Sequence, residues 1–224
     1  MAAGSVLADI APDPHPGYGQ PNADGLKALT GYWLPVSAHT PVDHLTKLTK
    51  SYRFKDTGGI GQLASQIIKG DAKGSWALLS SQNEELTLAQ PNDFKDWLTQ
   101  LTDMYYRPVS NATDALTALQ VFSAFRFLAA TRVGERGVDE INTLIDRAIK
   151  RQLNIPINAL FYHGCPIMVT ENSYETRLFN GDIGIIWRQG DRLRAAFPSS
   201  EGLRWLSLSR LPSFELVYSM TIHK

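Results

Sequence analysis

The sequence predicts an α/β protein, a parallel sheet carrying helices, followed by a small antiparallel β module for which an SH3-like barrel is the expected form. Three observations carry this. Up to Pro156, extended and helical patterns alternate. After Pro156 helical periodicity vanishes, and short β-like runs follow one another at brief intervals. The last run, Leu216 to His223, is long and apolar enough to return to the first sheet.

Each element follows from a local pattern. Residues 11–25, "APDPHPGYGQPNADG", are dense in Pro, Gly, Asn and Asp and read as a linker or exposed loop. Ile60, Leu63, Ala64, Ile67 and Ile68 recur at helical spacing, and Gly70 stops the run. "SWALLS" (75–80), bounded by Gly74 and the polar "SQNEE", reads as a buried strand. Phe94, Trp97, Leu98, Leu101 and Tyr105 mark one face of a second helix, which Pro108 should close. Asp114 to Phe122 is a third helix, and "FRFLAAT" (125–131) a strand. After the loop "RVGERG", residues Val138, Ile141, Leu144, Ile145, Ala148 and Ile149 form the apolar side of an amphipathic helix. The β module contains "PIMVT", "DIGIIW", "RLRAAF", "LRWLSLS" and "ELVYSMTIH", separated by the turn signals "FNGD", "RQGD", "PSSEG" and "LPS".

Composition narrows the function classes. The 22 Lys and Arg balance 22 Asp and Glu, so any attraction to nucleic acid or membrane must be local. A single cysteine, Cys165, precludes an internal disulfide framework and fits a reducing compartment; among the apolar residues of "HGCPIMV" it reads as a small buried thiol. No stretch approaches the ~20 apolar residues of a membrane helix, and "MAAGSVLADI" lacks the features of a signal peptide. A soluble, cytoplasmic protein is expected. Histidines 15, 39, 44, 163 and 223 show no metal-site spacing, so no metal is expected, and His39, Asp43 and His44 read as a polar loop. There is no GxSxG elbow, no GxxxxGK[ST] and no acidic cluster of nuclease type. "GGIG" at 58–61 lacks the lysine of a phosphate loop and reads as a helix-entry turn. The residues alone specify no enzyme.

Three stretches together resemble a known family. "KSYRFKDTGGIGQLASQIIKG" (50–70) resembles helicase motif IV of the RecD family, the alpha subunit of exodeoxyribonuclease V (RecBCD). "FLAATRVGERGVDEINTLI" (127–145) resembles that family's strand–loop–helix. "YHGCPIMVTENSYETRLFNGDIGIIW" (162–187), with "LPSFELVYSMTIHK" (211–224), is similar to its inserted barrel and the strand leading into motif V. "AGSVLADI" resembles the residues just after motif III. The resemblance implies part of an ATP-driven 5′–3′ DNA helicase of double-strand-break repair, beginning after motif III and ending at the start of motif V. On this frame residues 1–30 are the tail of a first motor domain and a linker, and 31–156 part of a RecA-like second motor domain. Residues 157–213 are the SH3-like insertion and 214–224 the return strand. ATP and Mg²⁺ are the implied cofactors, single-stranded DNA, RecB and RecC the implied partners. This piece alone is expected to be inactive.

The resemblance also assigns residues. Arg53 would be the arginine lent to the γ-phosphate, where a guanidinium stabilises charge on the transferring group. Arg132 and Arg136 would lie near ATP or DNA at a strand end; a solvated loop is the equal alternative. The residues of the NGD turn read first as turn-makers alone, since Asn and Gly tolerate positive φ; the resemblance would place Asn180, and Asn172 beside the variable loop, near DNA. The barrel arginines Arg188, Arg192, Arg194 and Arg204, with Trp187 and Trp205 alongside, have the composition of a single-strand surface, charge for phosphates and rings for bases. Strand alternation would equally place arginines on the solvent face and tryptophan in the core of any small barrel. A standalone RecD-like or conjugative relaxase-type helicase, or a non-catalytic interaction module, are the rival readings.

Overall fold

A computed structural model describes residues 10–12, 14–46, 54, 58–89 and 93–221. They fall into two compact units, Met1–Ala89 and Gln90–Lys224.

The first unit begins with a stitched loop. Tyr18 is buried, bridges to Val36, and donates its hydroxyl to the Leu45 carbonyl at 3.0 Å. Asp43 accepts the Gly19 N–H at 2.8 Å, and His44 bonds the Ile10 carbonyl at 3.1 Å, so the His39–Asp43–His44 segment closes a loop as expected. Helix α1 (Gln20–Thr30) starts there, with Pro21 in a first turn that needs no donor. Helices α2 (Gly59–Ile68) and α3 (Ala72–Leu79) follow.

Helix α3 corrects the strand expected at "SWALLS". Asp71 accepts the Gly74 N–H at 2.9 Å and caps the helix, and the Ser75 hydroxyl donates to the Asp71 carbonyl. Ala, Leu and Leu after Trp76 are good helix formers with no β-branching, and a short apolar run has no period of its own. "GGIG" is a helix entry. Glu85 accepts the Ile60 N–H at 3.0 Å, placing a carboxylate at the positive end of α2. Gly59 lets Asn83 pack close, since a Cβ would lie 2.3 Å from Asn83 Oδ1 and that side chain would have to shift.

The second unit opens with α4 (Phe94–Leu101), capped by Asp93, which accepts from Lys95 and Asp96 N–H at 2.7 and 3.0 Å. Pro108 does not close this helix. The chain widens into one π turn (Thr102–Tyr106) and resumes as α5 (Arg107–Ser110), with Arg107 N–H reaching back to the Thr102 carbonyl. Pro108 sits in the first turn of α5, where its missing donor costs nothing. Helix α6 (Ala115–Ser123) is capped by Asp114, whose carboxyl is held below the ordinary range by hydrogen bonds, foremost from the Thr117 N–H.

Strand β1 (Phe127–Ala129) leads through a loop to α7 (Val138–Gln152). The next five strands, β2 (Pro166–Val169), β3 (Ile183–Gln189), β4 (Arg192–Ser199), β5 (Gly202–Ser207) and β6 (Phe214–Leu216), form one antiparallel sheet. Its order is β5-β4-β3-β2-β6, so β5 and β6 are edges and the ladder does not close. β7 (Ser219–Thr221) then leaves it and pairs in parallel with β1, Phe127 opposite Ser219 and Ala129 opposite Thr221. The expected return strand is therefore present, but the terminal run is divided between two sheets. The parallel sheet has two strands among the described residues, without the "SWALLS" strand.

The division at 216–219 is held by side chains. Backbone groups that leave one ladder before joining another need partners. Asn142 donates to the Leu216 carbonyl at 2.8 Å and accepts the Ser219 N–H at 2.7 Å. Arg126 donates to the Val217 carbonyl, and the Tyr106 hydroxyl to that of Tyr218 at 2.5 Å. Tyr106, Phe122, Phe125, Phe127 and Tyr218 pack around this point in tilted and edge-to-face pairs, with Tyr106 and Tyr218 centroids 5.1 Å apart.

Candidate nucleic-acid interface

Arg53 lies outside the described residues, as does His223. The other expected residues all lie in the second unit, in four separate settings.

Arg132 and Arg136 occupy the loop between β1 and α7. Arg132 donates to Glu215 at 2.5 Å and lies 3.4 Å from Asp139. Hydrogen bonding and charge from Glu215, then the charge of Asp139, raise its already high pKa. This arginine ties the loop to β6, although its side chain remains 58% exposed. The guanidinium of Arg136 sits over the Phe94 ring, 5.2 Å from its centroid.

Asn172 and Asn180 are brought together. Asn172 Oδ1 accepts the Asn180 N–H at 2.9 Å, closing the excursion between β2 and β3. Inside it Ser173 and Leu178 exchange backbone bonds, Asp182 accepts the Phe179 N–H, and Gly181 (φ 98°) takes a conformation that disfavours other residues. Arg204 joins the same loop, donating to the Thr176 and Arg177 carbonyls at 3.1 and 2.6 Å.

The strand arginines divide by face. Pairing of Trp187 with Arg194 and of Gln189 with Arg192 puts Arg192 and Arg194 on one side of the sheet. Arg188 opposite Leu193, and Arg204 opposite Phe197, lie on the other. Trp187 is buried against His163, with ring centroids 4.0 Å apart, while Trp205 is half-buried with the Arg194 guanidinium 5.8 Å from its centroid.

Arg188 opens onto a cavity of about 450 Å³ shared with His163, Phe161, Asn154 and Ser110. His163 Nδ1 accepts the Arg188 N–H at 3.1 Å, which requires the neutral ring, and burial lowers the imidazole pKa in the same sense.

A buried polar network beside these residues escaped the sequence reading. Lys150 pairs with Asp146 at 2.6 Å and donates to the Ile157 carbonyl. Tyr162 donates to Asp146 at 2.7 Å, and its oxygen lies 2.5 Å from that of Tyr218. Burial drives both phenols well above their usual pKa, and drives the adjacent Cys165 thiol up to about 12. The signal was there: Asn142, Asp146 and Lys150 recur every fourth residue, flanking the apolar stripe Ile141, Ile145, Ile149. Among the described residues, no group of three His, Cys, Asp or Glu side chains could hold a metal ion.

No family model matches the chain. A RecBCD enzyme subunit RecD from Haemophilus influenzae is 34% identical over 250 residues, a match that covers 100% of this chain. The chain belongs to the RecD family. Further RecD subunits from Mycolicibacterium smegmatis and Mycobacterium tuberculosis are 32% and 29% identical, each over 80% of this chain. It spans 38% of the length of the H. influenzae RecD subunit and 32% of the two mycobacterial ones. In this RecD-family chain Asn172 and Asn180 share one loop, which Arg204 reaches from β5, Arg132 and Arg136 share another, and Arg192 and Arg194 lie on the sheet face opposite Arg188.

Proposed function

We propose that the chain is part of an ATP-dependent 5′–3′ DNA helicase subunit of exodeoxyribonuclease V, acting on single-stranded DNA with RecB and RecC in double-strand-break repair in the cytoplasm. The single observation behind this is identity to RecD subunits along the whole chain. On this reading residues 31–156 and 214–224 belong to a RecA-like second motor domain, and 157–213 are an SH3-like barrel inserted in it. The parallel pairing of β1 with β7 across that insertion supports the division.

The chain does not itself fit ATP and Mg²⁺. It contains no GxxxxGK[ST], and Glu85 occupies the glycine-rich entry to α2. Nucleotide and metal would be held elsewhere in the parent protein, and the part played here is charge: Arg53 presents a guanidinium to the γ-phosphate. Arg132 and Arg136 lie at the strand end where ligands of α/β sheets gather. Asn172, Asn180 and Arg204 shape the loop next to DNA, while Arg188, Arg192 and Arg194 meet phosphates.

The test is unwinding. A parent protein containing these residues, assembled with RecB and RecC, should unwind a 5′-tailed duplex with ATP, and the 224-residue chain alone should neither unwind nor turn over ATP. A parent protein that binds ATP yet never separates strands would contradict the reading.

A further inference from the structure

Several arginines and lysines in the second unit have partners. Arg132 has Glu215, Arg210 has Glu175, Lys150 has Asp146, and Arg126 and Arg204 have backbone carbonyls. A groove of about 310 Å³ between α4 and α7 brings together cations that have none. Lys95 from α4 and Arg147 and Arg151 from α7 converge on it, and no carboxylate lines it. Among the described residues none of these three side chains has an ion pair or hydrogen bond. All three are exposed.

We propose that this groove binds the phosphodiester backbone of a single nucleic-acid strand through Lys95, Arg147 and Arg151. The hydroxyls of Thr99 and Thr102, which also line it, already donate to the carbonyls of Lys95 and Leu98. The side-chain donors left for a ligand are therefore cationic, which selects an anion. Arg147 and Arg151, one turn apart, stand ~6 Å from each other along the axis, a repeat that consecutive phosphates of an extended strand can match. Each guanidinium can meet two phosphate oxygens at once, and Lys95 supplies a point charge from the opposite wall. Leu98 and Leu144 give the floor an apolar surface suited to sugar or base. An acidic peptide would present carboxylates on long, irregularly spaced side chains and matches this repeat less well. The proposal rests on the nucleic-acid role given above, but on none of the residues assigned there.

The experiment is fluorescence anisotropy of the full chain with a labelled oligothymidylate across a salt series, with oligoglutamate as a second polyanion. Lys95→Gln/Arg147→Gln/Arg151→Gln should weaken DNA binding roughly tenfold or more at low salt and flatten the log–log salt slope by about 2, at roughly 0.7 per lost contact. Arg147→Lys/Arg151→Lys should keep the slope. If the triple variant fails to give a native circular dichroism spectrum, Arg147→Gln/Arg151→Gln reads the same effect, with a slope change of about 1.4. An unchanged slope, or no DNA binding by the folded wild type, overturns the proposal. Oligoglutamate binding as tight as DNA, lost in the same variant, overturns it in favour of an acidic protein. Slope loss confined to Arg192→Gln/Arg194→Gln overturns the groove and leaves the helicase reading standing. Failure of the parent protein to unwind, with the groove's slope effect intact, has the opposite meaning.

Discussion

At the scale of single residues, charge burial separates members that look alike in sequence. Asp146 and Lys150 are both buried and joined at 2.6 Å, whereas exposed pairs such as Arg210–Glu175 contribute at most ~1 kcal/mol. Asp146→Ala would strand the Lys150 ammonium and the Tyr162 hydroxyl together, and should destabilise the second unit by about 3–5 kcal/mol. Tyr162→Phe removes one donor and should cost about 1–3 kcal/mol. Urea denaturation monitored by tryptophan fluorescence checks both, and a smaller loss in Asp146→Ala than in Tyr162→Phe would contradict the network. Alkaline pH probes the same core. Burial raises Cys165 from 9.0 and Tyr106 from 10.0, each to about 12. Their protonated forms are therefore the folded forms. Stability should be complete below pH ~9 and fall as pH rises towards ~12, by about 1.4 kcal/mol per unit for each group titrating only in the unfolded chain. Cys165→Ala should flatten the fall between pH ~9 and ~10, before the tyrosine joins in. An equal slope in that variant would mean the thiol is not buried in solution.

At the scale of elements, the passage of the chain from β6 to β7 is the feature on which the second unit depends. Asn142 satisfies Leu216 and Ser219 at once. Asn142→Ala takes this partner from the buried Ser219 N–H and from the part-buried Leu216 carbonyl, at about 1–3 kcal/mol for a group left buried and unpaired. We expect a loss near 3 kcal/mol, with the Ser219 amide exchanging faster than those of β3. Unchanged exchange at Ser219 would show that the clamp is dispensable. This feature also marks what the sequence could tell. "ELVYSMTIH" showed a continuous β pattern, so a return strand was legible from its apolar length; that it serves two sheets depends on Asn142, Arg126 and Tyr106, far away in the chain. "SWALLS" misled because six residues fit either period, and the deciding signal was Asp71, four residues before the run. Pro108 misled because a π turn shifts the hydrogen-bond ladder by one residue. The candidate residues were legible by type but not by face. Alternation along β3 and β4 separates Arg188 from Arg192 and Arg194, and that depends on register, which short turns disguise.

At the scale of the whole molecule, zero formal charge hides a local distribution. Lys95, Arg147 and Arg151 meet in the α4–α7 groove with no carboxylate lining it, while several acidic residues serve caps, loop closures and ion pairs: Asp71, Asp93 and Asp114 on helices, Asp43, Glu85 and Asp182 on loops, Glu215 and Glu175 on arginines. The proposed reading of this RecD-family chain gives Arg53, in a stretch that resembles motif IV, the part of completing a nucleotide site held elsewhere in the parent protein. ATP turnover by the intact parent protein with Arg53→Ala tests this most directly, with folding checked by its thermal melt. A fall of about 10³-fold with an unchanged melt is the predicted result; turnover near the wild-type rate would contradict the account.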